Sequence, residues 1–285
     1  MFDPTVQRSF QAKLSLAEFK KLSEFIYTNY GIKMPEVKRI MLQSRLQKRL
    51  RALKMDNFKD YINYVFSKEG QSHEVINMID VVSTNKTDFF REPVHFDYIN
   101  SYIIPSMMES KTSSRFLKTW SAGCSSGEEP YTLAITFEEL RLQYPGLDYQ
   151  IYATDISSIK LKEALTAIYK EDKIESLPLQ LKKKYFLKSK NREEKKVRIN
   201  ENLRKKITFV RLNLMDSSYG INEKFDIIFC RNVLIYFDRN TQESVINKLC
   251  NALKPGGFFF LGHSESITNF KVPLKQIKPT FFQRI

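Results

Sequence analysis

After about residue 115 the chain alternates short β-prone runs with longer segments of helical periodicity. The β-prone runs are FLKTWSA, YQIYATD, ITFVRLNL, FDIIFCRN and FFFLGHS, and helical stretches such as EEPYTLAITFEELRLQY and TQESVINKLCNALKPGG separate most of them. Strands separated by helices predict an α/β fold with a doubly wound, mostly parallel sheet. Ligands bind such sheets at the carboxyl ends of the strands. We expect the final QIKPTFFQRI to add an edge strand.

Residues 1–82 have a different pattern, which predicts an all-helical domain ahead of an α/β domain at 83–285. In this first part Leu42, Leu46, Leu50 and Leu53 recur at helical spacing and predict one buried stripe. The neighbouring segments LSLAEFKKLSEFIYTNYG and DNFKDYINYVFSKEG are also helical in spacing. Each of them ends at a glycine, which predicts a helix C-cap.

The formal net charge of +14 is concentrated in two segments. Residues 38–54 contain seven basic and no acidic residues, and residues 182–206 contain twelve basic and three acidic ones. Such patches attract nucleic acid, acidic lipid or an acidic protein surface, although a solvated helix face is an alternative for the first. The second patch interrupts the strand and helix alternation, so we expect an inserted β-subdomain at about 172–206.

The composition argues against several classes of protein. The chain has no run of 18 apolar residues, and its start, MFDPTVQRSF, does not have the form of a secretory signal, so we expect a cytoplasmic protein. Three cysteines without CxxC spacing argue against a disulfide framework and a zinc site. Three dispersed histidines lack metal-ligand spacing, so we expect no metal.

The stretch WSAGCSSGEEPYTLA is a glycine-containing turn between a strand and a helix, and it carries Glu128 and Glu129. Two carboxylates beside the phosphates of NAD, FAD or ATP would cost several kcal/mol, and neither GxGxxG nor GxxxxGK[ST] is present. S-adenosylmethionine is cationic at its sulfonium and ammonium groups and suits an acidic turn. Alternatively, the two glutamates only favour the helix dipole.

Asp155 ends the second strand, 28 residues after Gly127. An acid at that place in a βαβ unit accepts hydrogen bonds from ribose hydroxyls, which predicts a ligand that contains a nucleoside. The alternative is that Asp155 caps the following helix.

Five segments together resemble the chemotaxis receptor methyltransferases, the CheR family. They are VVSTNKTDFFREPVHF, WSAGCSSGEEPYTLA, YATDIS, FDIIFCRNVLIYFD and LKPGGFFFLGHSES, and the likeness covers nearly the whole chain in order. The resemblance implies a class I S-adenosylmethionine-dependent methyltransferase with a helical receptor-docking domain (1–82) and a catalytic domain (83–285). It also implies methyl transfer to chemoreceptor glutamates, which forms glutamyl methyl esters during chemotactic adaptation in bacterial signal transduction.

The resemblance also implies roles for particular residues. We expect Asp155 at the ribose, Glu129 toward the methionine part and Asn213 toward the adenine. The full set of expected cofactor contacts is Asn85, Thr87, Arg91, Glu129, Asp155, Asn213, Leu214, Arg231 and Asn232. Arg45, Arg49 and Arg51 are expected to contact the acidic cytoplasmic helices of transmembrane receptors.

Arg91 and Tyr236 are the expected catalytic residues. A glutamate substrate is ionised at neutral pH and acts as its own nucleophile, so the reaction needs alignment and removal of water rather than a general base. Arg91 then offers a fork of donors to the carboxylate, and Tyr236 offers a hydroxyl. The alternatives are a salt bridge from Arg91 to Glu92 or Asp88, and core packing for Tyr236.

Some points stay open on the sequence. In some members of the family the β-subdomain captures a receptor carboxyl-terminal peptide by strand addition, but FLKSKNREEKKVRIN has no glycine for a tight hairpin turn. A nucleic-acid methyltransferase would account for the positive charge, but CRNVLIYF differs from the Asn/Asp-Pro-Pro-aromatic motif of base methylation. A non-catalytic receptor-binding regulator is a third alternative.

Overall fold

The computed structural model describes residues 12–109 and 115–285. The first part of the described chain is a bundle of helices, as predicted. Their bounds are α1 (Leu16–Tyr30), a 3-10 turn (Glu36–Lys38), α2 (Arg39–Leu53), α3 (Phe58–Val65) and α4 (Lys68–Val82). The first eleven residues, which include MFDPTVQRSF, lie outside the described residues.

Local sequence explains where α1 begins and ends. Ser15 and Glu18 form a reciprocal capping box at the first turn, and Gly31 ends the helix in the left-handed region with φ of 69°. Gly70, by contrast, is not a C-cap. It lies in the first turn of α4, where a Cβ would lie 1.9 Å from the Tyr64 carbonyl oxygen. The prediction of a glycine C-cap is therefore confirmed for Gly31 at the end of α1 and wrong for Gly70, which does not end α3.

The leucine stripe of α2 forms the centre of the bundle. Leu42, Leu46 and Leu50 are fully buried against side chains of the other three helices, such as Leu22 and Met78. Leu53 is only partly buried at the end of the helix. The stripe supplies most of the apolar contact by which α2 is held in place.

A helical stretch that the sequence did not predict joins the bundle to the sheet. It consists of α5 (Val94–Tyr98), a π-helical turn (Ile99–Ile103) and α6 (Ile104–Glu109). Phe96, Ile99 and Ile103 are buried in the core that also contains strand residues, so this stretch packs on the sheet.

The main sheet has seven strands in the order β6-β2-β1-β7-β8-β10-β9. The first five strands in that order pair in parallel, and β10 pairs antiparallel with both β8 and β9. The bounds are β1 (Phe116–Ala122), β2 (Asp148–Asp155), β6 (Ile207–Arg211), β7 (Phe225–Cys230), β8 (Leu253–Leu261), β9 (Leu274–Lys278) and β10 (Phe281–Arg284). The carboxyl-terminal segment thus forms two strands, where the sequence predicted one.

Side chains on the two faces of this sheet enter two different cores. On β7, Ile227 and Phe229 belong to one core, and Ile228 and Cys230 belong to the other. The helix α7 (Glu128–Gln143) packs in the first core and α11 (Arg239–Ala252) in the second. The sheet is therefore covered on both faces, which confirms the predicted doubly wound fold.

A small antiparallel sheet stands in the chain between β2 and β6, after α8 (Ser158–Thr166). Its strands β3 (Ile168–Lys170), β4 (Phe186–Lys188) and β5 (Lys196–Ile199) have the order β3-β5-β4, and the segment also contains α9 (Leu179–Tyr185) and is followed by α10 (Glu201–Arg204). The sheet begins at β3, ahead of the start predicted at about 172. Lys195, with φ of 46°, supplies a left-handed residue in the β4–β5 connection, so the hairpin forms without glycine.

Within the described residues, every helix falls short of the length and apolar character that a bilayer crossing requires. All three cysteines are buried free thiols.

Candidate functional site

The cleft that contains the predicted site residues lies at the carboxyl ends of the parallel strands. The chain order reverses between β1 and β7, which is the place where open α/β sheets bind ligands. All nine predicted cofactor contacts line this one cleft, and so does Tyr236. The structure thus brings together residues that span positions 85 to 236.

The turn after β1 forms the floor of the cleft. The N–H groups of Gly123 and Cys124 both donate to the Thr154 carbonyl, at 2.7 and 2.9 Å, which ties this turn to β2. Gly123 has φ of 88°, and a Cβ there would lie 2.3 Å from Val233. Glycine is therefore required at 123 both for backbone conformation and for contact with the loop after β7.

Asp155 is buried at the end of β2. Its carboxylate accepts one hydrogen bond from the Ser125 N–H and one from the Ser157 N–H, each at 2.8 Å. Ser157, not Asp155, is the N-cap of α8, so the capping alternative is wrong. Burial raises the pKa of Asp155. A carboxylate has about four acceptor positions, so two remain for ligand hydroxyls.

The two glutamates of the turn point in different directions. Glu129 lines the cleft, where its carboxylate accepts from the Ser121 hydroxyl at 2.7 Å and from Arg231 Nε at 2.8 Å. Glu128 is buried beside the Ser126 hydroxyl, 3.9 Å from the Lys173 ammonium, and burial raises its pKa. Of the two glutamates, Glu129 lines the cleft and Glu128 does not, and Glu129 is the one that was predicted to contact the cofactor.

Arg231 connects Glu129 to the segment that precedes α5. Its Nη1 group donates to the Arg91 carbonyl at 2.8 Å and to His95 Nδ1 at 2.9 Å, and it lies 3.5 Å from Glu92. Since a guanidinium only donates, His95 holds its proton on Nε2 and donates to the Thr280 hydroxyl at 2.7 Å. Burial, and then the positive charge of Arg231, lower the pKa of His95 to about 3.

Glu92, His95 and His263 lie close enough together to suggest a metal site. Arg231 occupies the space between Glu92 and His95, and it already donates to the ring nitrogen that faces Glu92. A second cation there would meet a buried positive charge, so this cluster is a hydrogen-bond network rather than an ion site.

Arg91 lies on the cleft wall between two residues in the left-handed region, Phe90 (φ 51°) and Glu92 (φ 55°). Such conformations are strained and persist only where surrounding contacts hold them. Among the described residues, the only hydrogen-bond partner of the Arg91 guanidinium is the Lys86 carbonyl, at 3.0 Å. Asp88 pairs instead with Lys173, so the salt-bridge alternatives for Arg91 are not realised.

Asn213, Leu214, Asn232 and Tyr236 are also lining residues of the cleft. Asn213 donates to the Asn29 carbonyl at 2.8 Å and accepts from the Met215 N–H, and Leu214 is buried beside it. Asn232 has φ of 60°. Tyr236 is half-buried and lines the cleft.

The helical bundle also lines the cleft, which sequence reasoning missed. Its contribution comes from the end of α1 and the chain that follows, where Tyr30, Ile32, Met34, Lys38 and Met41 face the cleft. The Lys33 N–H donates to the Tyr236 carbonyl at 3.0 Å, and the Tyr27 hydroxyl donates to Asp238 at 2.8 Å. No local motif marks these residues, because they reach the site only through the packing of bundle against sheet.

The predicted docking arginines have different surroundings. Arg49 forms a two-point ion pair with Glu74, at 2.8 and 2.7 Å, and the Glu74 side chain is only 2% exposed. Arg45 donates to the carbonyls of Val82 and Ser83. Arg51 is exposed at the end of α2. The guanidinium groups of Arg45 and Arg49 therefore hold the bundle and the segment after it, and receptor contact by the three arginines stays a prediction.

Comparison with known proteins agrees with this geometry. Residues 85–282 match the family model described as "CheR methyltransferase, SAM binding domain". The chain belongs to the CheR methyltransferase family. Residues 17–83 of this CheR-family chain match the model "CheR methyltransferase, all-alpha domain".

Relatives of similar length support the same assignment. A chemotaxis protein methyltransferase of Borreliella burgdorferi is 39% identical, and the alignment covers 98% of this chain and 99% of the relative. Those of Salmonella typhimurium and Escherichia coli are each 35% identical over 93% of this chain, and over 88% and 90% of their own. This CheR-family chain is an S-adenosylmethionine-dependent methyltransferase.

The residues of the cleft fit that cofactor. S-adenosylmethionine combines a nucleoside with sulfonium and ammonium cations and one carboxylate. Asp155 offers free acceptor positions for ribose hydroxyls, and Glu129 offers a carboxylate for a cation. Lys38, Lys86 and Arg91 also line the cleft, so it suits a ligand that carries a carboxylate as well as cationic groups.

Proposed function

We propose that this chain methylates glutamate side chains on the cytoplasmic helices of transmembrane chemoreceptors and forms glutamyl methyl esters. The proposal rests on membership in the CheR family and on the relatives named chemotaxis protein methyltransferase. A single observation carries the acceptor assignment: Arg91 has one internal partner for its guanidinium and lines the same cleft as Glu129 and Tyr236.

The contacts of the cleft residues suggest which part of the cofactor each of them binds. Asp155 binds the ribose, Glu129 and Arg231 together orient the methionine part, and Asn213 lies toward the adenine. When bound, S-adenosylmethionine supplies an electrophilic methyl group on its sulfonium and leaves as S-adenosylhomocysteine.

Arg91 and Tyr236 act on the acceptor. The fork of donors on Arg91 binds and orients the substrate carboxylate, which is ionised at neutral pH and needs no base. Tyr236 limits water access and offers a hydroxyl donor. Alignment and exclusion of water of this kind contribute up to about 7–11 kcal/mol in favourable cases.

The docking surface proposed for the receptor is one face of α2. Ile40, Ser44, Lys48 and Arg51 recur at helical spacing and are all exposed, and α2 begins beside Lys38 at the cleft. Val37 is 88% exposed and Ile40 is 65% exposed, which adds an apolar contact near the cleft. The positive charge of this face is complementary to an amphipathic, acidic receptor helix. A receptor helix bound there would lie next to the cleft.

The small sheet is a second candidate contact. Its edge strands are β3 and β4, and a receptor carboxyl-terminal peptide could add to either of them by main-chain hydrogen bonds. Lys188, Lys196 and Arg198 surround this sheet, so an acidic peptide is the better match.

The first experiment is incorporation of labelled methyl from S-adenosylmethionine into receptor cytoplasmic fragments, with structured RNA as the competing substrate. We expect label on the receptor that mild alkali releases as methanol, since carboxyl methyl esters are base-labile. Label on RNA alone would favour the nucleic-acid alternative. Tight cofactor binding without label on either would favour a regulator.

A further inference from the structure

Glu265 lies in the loop after β8 and binds the loop after β7 with its carboxylate. One oxygen accepts from the N–H groups of Val233 (2.9 Å) and Leu234 (2.8 Å). The other accepts from the N–H groups of Asn232 (2.9 Å) and Gly262 (2.7 Å). Four backbone donors thus converge on one side chain.

This arrangement depends on the backbone of Asn232. With φ of 60°, Asn232 turns the chain so that three consecutive N–H groups point to one side, which makes a concave anion site in the backbone. A left-handed non-glycine residue is strained and requires several contacts to hold it. Gly262 allows the loops to approach this closely, because a Cβ there would lie 2.4 Å from Asn232 Nδ2.

Only an ionised carboxylate satisfies this site. It is an acceptor at both oxygens and has about four acceptor positions, which the four N–H groups use. An amide of the same shape would direct its own N–H groups at two of the backbone donors. Buried donors that lose their acceptor are costly, so the loop would change conformation in response.

The loop that Glu265 holds carries residues of the cofactor cleft. Asn232, Val233 and Tyr236 line the cleft, while Glu265 itself is not among the lining residues. We propose that Glu265 is a positioning residue for methyl transfer, which fixes the loop after β7 so that Asn232 and Tyr236 face the bound cofactor and acceptor. The part that concerns Tyr236 rests on the function proposed above.

The test uses the full chain with Glu265→Gln and Glu265→Ala. Glu223→Gln is the matched control, because it removes the same charge from an exposed side chain that pairs with Lys118. Isothermal titration with S-adenosylhomocysteine gives the dissociation constant, and thermal unfolding gives the stability of each variant. We expect affinity to fall about tenfold or more for Glu265→Gln and to stay within about twofold for the control.

Chemical rescue separates positioning from a general loss of stability. Acetate added to Glu265→Ala supplies the missing acceptor, so we expect it to restore S-adenosylhomocysteine affinity and kcat on receptor fragments together. Affinity and kcat within about twofold of the original chain in both variants would overturn the proposal. Acetate that raises the unfolding temperature without restoring affinity would also overturn it.

The failure of this proposal is distinguishable from a failure of the receptor assignment. If the unmodified chain binds S-adenosylhomocysteine but labels no receptor fragment, the receptor assignment fails. The affinity comparison still decides the role of Glu265, because titration requires no acceptor.

Discussion

Arg49→Met tests whether this arginine binds the receptor or stabilises the bundle. The substitution keeps an apolar stem but leaves Glu74, which is 2% exposed, without its cation. Removal of one partner of a buried ion pair costs about 3–5 kcal/mol. Tyr61 and Asn77 still donate to Glu74, and Arg49 is itself 20% exposed. We therefore expect the free energy of unfolding to fall by about 3 kcal/mol, at the lower end of this range.

Urea unfolding followed by circular dichroism measures this loss of stability. Arg49→Met combined with Glu74→Gln should recover most of the loss, because no unpaired charge then remains buried. Arg51→Met, at an exposed position on the same helix, should change stability by no more than about 0.5 kcal/mol but weaken binding of receptor fragments. Unchanged stability in Arg49→Met together with weakened receptor binding would refute the structural role.

Three further predictions follow from the site. Asp155→Asn directs an amide N–H at a backbone donor, so S-adenosylmethionine affinity should fall about tenfold or more, and an unchanged dissociation constant by calorimetry would remove Asp155 from the site. Burial and Arg231 lower the pKa of His95 from 6.5 to about 3, so the folded state favours the neutral ring. The contribution of His95 to the free energy of unfolding is therefore complete above pH 6.5 and declines as the pH falls toward 3. His95→Gln should therefore reduce the slope of unfolding free energy between pH 6 and 5 by about 1.4 kcal/mol per pH unit, and an equal slope in both proteins would contradict this. Lys173→Met removes a donor at 2.9 Å from the Thr87 carbonyl, so cofactor affinity should fall about two- to tenfold, and equal affinity would show that Lys173 does not support this loop.

Features that depend on near neighbours in the chain were predictable. The alternation of strands and helices specified the doubly wound sheet, and the five quoted segments identified the CheR family, which the family models confirm. Gly31 was recognisable as a C-cap because that role follows from its position directly after the helix. Asp155 was placed correctly at the cleft because the end of a strand fixes its position.

Features that depend on distant partners were not predictable. The charge run of α2 gave no sign that Arg49 pairs with Glu74, which is 25 residues away. Glu128 and Glu129 are adjacent and chemically equal, so spacing and charge alone do not separate them. The family resemblance indicated Glu129, and the orientation of α7 is the physical reason that Glu129 faces the cleft. Gly70 resembled a C-cap until the approach of α4 to Tyr64 showed its role.

The sequence by itself determined the kinds of secondary structure, the order of the strands along the chain and the family, because periodicity and motifs are local properties. The tertiary structure decided which charges are paired, which wall of the cleft the helical bundle supplies, and that Glu265 holds the loop after β7. These depend on contacts between segments that are far apart in sequence. The hydrogen bond from the Leu234 N–H to Glu265, for example, is 2.8 Å long and forms only when both segments have reached their final positions. A local sequence pattern does not encode those relative positions.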